Sequence, residues 1–170
     1  LETALLFFAA DAALPDSDGP WAGGLNYYVY DDPSSGKFQL LPWDLDNTFD
    51  RFDDDEPGGV YPPNPDPIVW EKANTWGRPW FDTPLTDPVW HAYFIEMMRD
   101  VVDMAYQPEV LHARIDAYDA QIRDAVYADE YKPYPNSTYD NKVEQLHDHV
   151  QDQYEFLEIW LACWEGGGMP

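Results

Sequence analysis

The chain has 170 residues, enough for one domain with its own core or for part of one. It carries 9 Lys and Arg against 33 Asp and Glu, a net charge of −24. So negative a surface repels nucleic acid and anionic membranes, and no stretch has the length and apolarity of a membrane span, so neither nucleic-acid binding nor membrane insertion is expected.

Glu2 to about Ala13 is rich in Ala and Leu and reads as a helix that Pro15 ends. The first residue is Leu1, and Leu5-Leu6-Phe7-Phe8 reads as a helix already under way, so a piece cut from a longer chain is expected. Asp16 to Gly24 is a loop. Two strand-like runs follow, Asn26-Tyr27-Tyr28-Val29-Tyr30 and Lys37-Phe38-Gln39-Leu40-Leu41, around the polar turn Asp31-Asp32-Pro33-Ser34-Ser35-Gly36. That pattern predicts a β-hairpin from about Leu25 to Leu41. Pro42 has no N–H to give a ladder, so the strand should stop there.

Asp44 and Asp46 sit just beyond that strand end, where a rigid scaffold can aim them at a ligand. Paired carboxylates so placed suit a hard cation such as Mg²⁺, and Mg²⁺ commonly brings phosphate. The same two residues could instead cap a helix or brace a turn. Trp43 is read as a packing residue that fixes the carboxylate turn. Trp43 to Leu85 is a long irregular stretch with many Pro, four Trp and the acidic run Asp53-Asp54-Asp55-Glu56. Its aromatics argue for an ordered wrap over the site, and the acidic run reads as a solvated face.

Helix signals return at Thr86-Asp87-Pro88, a capping residue before Pro. Val89, Trp90, Tyr93, Phe94, Met97, Met98, Val101 and Val102 recur at helical spacing. Pro108 opens another helix with Val110, Leu111, Ile115, Tyr118, Ile122 and Val126 on one face. Asp129 to Pro135 is a loop, and a last helix starts near Ser137 or Thr138 and runs to the glycines at 166–168. Each apolar stripe is read as core. The fold class expected is α+β: a hairpin platform with a helical subdomain over 86–165, one unit over 1–165, and a Gly-rich tail at 166–170.

Other chemistries lack their residues. Cys163 is the sole cysteine, which excludes an internal disulfide and leaves the compartment open; it reads as a small buried hydrophobe. His147 and His149 point to different faces of one helix, His91 and His112 are isolated, and no zinc spacing occurs. No nucleophile elbow is present for a Ser hydrolase. Phe49 stands where a Ca²⁺ loop of the EF type needs Gly.

Asn26, Tyr27, Tyr28, Tyr30, Gly36, Lys37, Pro42, Trp43, Asp44, Asp46 and Phe49 resemble the signature of the CotH family, the spore-coat protein H kinases. The likeness continues weakly through the helices, and it implies a protein-kinase-like fold of minimal, rearranged form. In such a site one Asp takes the proton of a substrate hydroxyl, while an Asn and a second Asp hold metal ions that bridge the nucleotide phosphates. The resemblance makes Asp44 the metal-binding Asp, shared with the nucleotide, Asn26 a further metal and cofactor ligand, and Asp46 a second ligand or its support. It makes Asp18 the catalytic acid–base, though Asp16 in Asp16-Ser17-Asp18 is the other candidate, since the family reads Asn-x-Asp there. Where the family carries Arg in the last helix, this chain has Gln153 and Tyr154.

The resemblance thus implies transfer of phosphate from ATP to a Ser or Thr hydroxyl on a protein, with Mg²⁺ or Mn²⁺ and with Ca²⁺ as another option, in a secreted or cell-surface setting. Metal ions also resolve how so acidic a body could hold a triphosphate. Neither a strand-borne phosphate-gripping Lys nor a Gly-rich cover occurs in the right context, so the 170-residue piece alone is expected to be inactive. Two rival readings remain. One is a non-catalytic surface or adhesion module with a structural divalent cation. The other is a carbohydrate-active domain, which would also use two carboxylates among aromatics.

Overall fold

Twelve residues of high helix propensity, Glu2–Ala13, form α1, and Leu14 and Pro15 turn the chain out of it. The computed structural model describes residues 1–22, 24–49, 66–69 and 78–168. After α1 come β1 (Tyr27–Asp32), β2 (Lys37–Pro42), a 3₁₀ turn at Leu45–Asn47, then α2 (Pro79–Leu85), α3 (Pro88–Met104), α4 (Pro108–Ala128) and α5 (Asn136–Glu165). The architecture is α+β, with one antiparallel two-stranded ribbon and a mainly helical C-terminal part.

The ribbon pairs Tyr27 with Pro42 through to Asp32 with Lys37. Its turn is set by Asp32, whose carboxylate accepts from the Ser34 amide and from the Ser34 and Ser35 hydroxyls. Those donors hold the Asp32 carboxyl down, to about 2. Gly36 closes the turn at φ 65°, a conformation that a side chain would strain. Much of the ribbon is open, with Tyr28, Tyr30 and Phe38 exposed, while Leu40 packs against the core.

The core lies between α1, α2, α3 and the C-terminal half of α5. Leu5, Phe8, Ala9 and Ala12 meet Phe81, Phe94, Met98 and Val102, with Val150, Leu157 and Leu161 on the far side. Phe8, Phe81 and Phe94 form a chain of ring contacts at 5.1 to 5.2 Å. Trp21 is buried, and its indole N–H donates to Pro67 O at 2.8 Å. Arg78 ties the same corner, donating to Trp21 O and Ile68 O and pairing with Asp82.

Two helix starts, those of α3 and α4, carry the expected chemistry. Asp87 accepts from the Val89 amide with Pro88 at the first position of α3, and Pro108 opens α4. Two expectations about the helices need correction. A short helix, α2, lies inside the stretch read as irregular; Pro79 starts it, but seven residues with an internal Pro84 carry too little periodicity to register. The α4 stripe is not core. Only Pro108 is buried in α4, and Tyr118 is 65% exposed, because α4 rests mainly on the N-terminal half of α5. Of the stretch read as a wrap, residues 50–65 and 70–77, with the acidic run, lie outside the described residues.

Polar side chains brace α4 to α5. Arg123 bridges Asp119 and Asp140, and the Tyr127 and Tyr139 hydroxyls donate to Asp140 and Asp119. His112, expected to be isolated, faces His147 with ring nitrogens 2.7 Å apart, and Asp116 lies 3.2 Å from the other nitrogen of His147. His149 points the opposite way and is buried, as the spacing on one helix requires. Cys163 is half-buried rather than part of the core.

Candidate active site

Two loops meet at the open end of the ribbon. One leaves α1 as Leu14-Pro15-Asp16-Ser17-Asp18-Gly19. The other leaves β2 as Trp43-Asp44-Leu45-Asp46-Asn47-Thr48-Phe49. Backbone bonds join them: the Ser17 amide donates to Asn47 O at 3.3 Å, and the Phe49 amide donates to Leu14 O at 3.2 Å. The side chain of Asn47 completes the seam, donating to Asp18 Oδ2 at 3.0 Å and to Asp46 Oδ1 at 3.1 Å. A single amide therefore stands between Asp18 and Asp46.

Asn26 lies against the second loop through its backbone, whose carbonyl accepts from the Trp43 amide at 2.9 Å. It precedes β1 rather than opening it. Trp43 fixes the turn through that N–H; its ring is 57% exposed and meets Tyr28 edge-on, so it is not the packing residue expected. Among the described residues, the non-glycine positions with left-handed backbone are Asn26, Asp44 and Phe49, at φ 53°, 55° and 54°. All three belong to this site. Asn and Asp tolerate the conformation, whereas a bulky Phe does so only when its surroundings enforce it. Here the Phe49 ring stacks on Tyr106, which is buried, and meets His149 edge-on.

The two candidate acids of the first loop have different surroundings. Asp16 is fully buried, and its Oδ1 accepts from the amides of Asp18 and Gly19. Burial pushes its carboxyl up to about 6, against the pull of those amides. Asp18 is half-buried and presents Oδ2 to Asn47. Asp44 and Asp46 are exposed, and the Asp44 carboxylate makes no hydrogen bond or ion pair among the described residues. Behind the loop, Gln153 is fully buried on α5 and donates from Nε2 to Ala13 O at 3.4 Å.

Among the described residues no three His, Cys, Asp or Glu side chains converge on one metal position. Mg²⁺ does not need them to, since it is commonly held by one or two carboxylates with phosphate oxygens and water completing its shell. A free Asp44 carboxylate, with Asp46 two residues on and Asn26 across the ribbon end, fits that kind of donor set.

Sequence reasoning missed two residues here. Asn47 bridges the loops, and its position directly after Asp44-Leu45-Asp46 was the available signal. Asp11 is the other: a carboxyl 6% exposed that follows an apolar run in α1, accepting from the Trp21 amide at 2.7 Å. A lone acid amid Ala, Leu and Phe was visible, but its burial was not.

No curated protein matches the chain. The sequence profile of one family, described as CotH kinase protein, matches residues 1–157, which takes in α1, both site loops, the ribbon and most of α5. With the signature residues running along the ribbon and into the loop at its open end, and the match running through nearly all of the helical part, the chain belongs to the CotH kinase protein family.

Proposed function

We propose that this chain is the catalytic C-terminal part of a metal-dependent protein kinase-like phosphotransferase, passing the γ-phosphoryl of ATP to a Ser or Thr hydroxyl on a protein. The observation that carries the reading is the Asn47 amide between Asp18 and Asp46, which holds a half-buried acid and an exposed carboxylate turn face to face. Asp18 is the residue that accepts the proton of the attacking hydroxyl. Asp16 is too deeply enclosed for that role, with one carboxylate oxygen committed to two amides. Asp44, with Asp46 and Asn26, would hold Mg²⁺ or Mn²⁺, which when bound neutralises and bridges the nucleotide phosphates. Asn47 keeps the two loops in register. A secreted or cell-surface setting belongs to the same proposal and rests on the family alone.

The test is phosphorylation of a generic or self substrate by the full-length protein with Mg²⁺ or Mn²⁺. Asp18→Asn should lower kcat about 10²- to 10⁴-fold, the usual worth of a positioned general base. Asp44→Asn should be at least as damaging and should raise the metal concentration needed. Wild-type rates in both variants would end the assignment.

The open ribbon favours a second reading, a surface or adhesion module with a structural divalent cation, because Tyr28, Tyr30 and Phe38 stand exposed on it. Calorimetry separates the two: heat from metal without any ATP-dependent heat supports the module.

A further inference from the structure

Asp11 has no place in the scheme above, yet it is built into the base of the same loop. Gly19 marks where the acids meet. A Cβ there would lie 2.5 Å from Asp16 Oδ2 and 2.8 Å from Asp11 Oδ1, so both carboxyls crowd over the Gly19 Cα. The Asp11 and Asp16 carboxyls are therefore neighbours over one Cα. The remaining oxygens are spoken for: Asp11 Oδ2 takes the Trp21 amide, and Asp16 Oδ1 takes those of Asp18 and Gly19. Asp16 Oδ2 is buried with no hydrogen-bond partner among the described residues, as is Asp18 Oδ1.

Two buried carboxylates side by side cannot both stay ionised with no donor between them; one must keep its proton. We propose that Asp11 is a positioning residue that remains protonated and donates its O–H to Asp16, holding Asp16 across the amides that shape the Asp18 loop. This rests on the proposed role of Asp18 only for its catalytic consequence. The direction of titration agrees, since burial raises Asp11 to about 8 and Asp16 to about 6, and the Asp16 and Asp18 charges push Asp11 the same way. The cation of this corner, Arg78, is engaged by Asp82 and two carbonyls, while α5 brings the neutral Gln153 to Ala13 O and the His149 imidazole to Phe49.

Asp11→Asn keeps a donor for Asp16 and an acceptor for Trp21 but cannot titrate. Asp11→Leu keeps the bulk and removes the donor. Denaturation midpoints of the 170-residue chain between pH 5 and 9 should fall with pH in the wild type. They should flatten in Asp11→Asn, which should equal or exceed the wild type at pH 8, and should be lower throughout in Asp11→Leu. In the full-length protein, Asp11→Asn should keep at least a third of the phosphoryl transfer at pH 7 and move its alkaline limb up by a pH unit or more. Asp11→Leu should lose tenfold or more. Superimposable curves for wild type and Asp11→Asn, or an Asn variant as damaged as the Leu variant, overturn the proposal. Should the variants not fold, the ¹³Cγ shift of Asp11 in the wild type decides: a midpoint above pH 6 supports it and one at or below pH 6 overturns it. Denaturation and NMR need no nucleotide, so a protein with no phosphoryl transfer would sink the function proposed above and leave this pair decided.

Discussion

At the scale of single residues, three left-handed backbones surround one seam, and they differ in what sustains them. Asn26 and Asp44 have short polar side chains that lower the cost of positive φ, whereas Phe49 has none and is held by its ring stack and the Leu14 carbonyl. Phe49→Ala and Phe49→Gly both lose the ring, but only Gly also sheds the strain. The Ala variant should be less stable than the Gly variant by about 1 kcal/mol, because a left-handed residue with a Cβ costs roughly that much. Equal urea midpoints for the two would show that Phe49 is unstrained. Asn47 lends itself to a similar contrast. Asn47→Ala removes one amide and should cost about 1 kcal/mol. Asn47→Asp sets a third carboxylate between Asp18 and Asp46, and thermal melts should show it losing more than Ala in EDTA and recovering part of the loss with Mg²⁺.

Among the elements, α1 and α3 are fixed from several sides and α4 from one. Phe94 on α3 is fully buried against Phe81, so Phe94→Ala should lower stability by about 3 to 5 kcal/mol. Between α4 and α5 lies a cavity of about 290 Å³ lined mostly by apolar side chains, among them Phe49, Leu111, Ile115 and Val150. This cavity is open to solvent, so the apolar side chains that line it bury less surface than core side chains and hold α4 less firmly. With its outer face open as well, α4 is tied chiefly by the Arg123 and His147 braces. Amide hydrogen exchange should therefore release α4 well before α1 and α3, as a local opening rather than with global unfolding. Equal protection in all three helices would contradict that ordering. The reading of α4 as core shows how far periodicity reaches: the stripe at 111, 115, 118 and 122 correctly marks a helix, but periodicity does not count the neighbours that come to cover it. Asp87-Pro88 and Pro108, by contrast, carry their helix starts in local chemistry alone, and both starts appear where expected.

For the molecule as a whole, charge and buried acids act in the same direction. A net charge of −24 loads the folded state with self-repulsion, which salt screens, so the melting temperature should rise with NaCl toward 1 M. A flat salt response would mean that the charges already sit too far apart to matter. Asp11 and Asp16 add a pH term. Both have folded-state values above the ordinary 3.8, so between about 4 and about 8 the folded chain binds more protons than the unfolded chain, and stability falls as pH rises through that window. Asp32 acts oppositely and elsewhere, since its depressed carboxyl favours the fold above 3.8 and that contribution fades as pH falls toward 2. The balance places the stability maximum on the acid side of neutrality, which a series of urea midpoints across pH would locate.

Sequence alone determined what depends on neighbours along the chain. The ribbon, its polar turn, the helix starts at Pro88 and Pro108, the end of α1 and the family signature all follow from propensity, capping and spacing over a few residues. Tertiary structure decided what depends on distance in space. It buried Asp16 and left Asp18 open to Asn47, set Asp11 beside Asp16 over Gly19, paired His112 with His147 across two helices, and left the α4 stripe half uncovered. Burial and pairing are properties of the packed chain, set by which surfaces meet, and residues 29 apart such as Asp18 and Asn47 carry no local mark of that meeting.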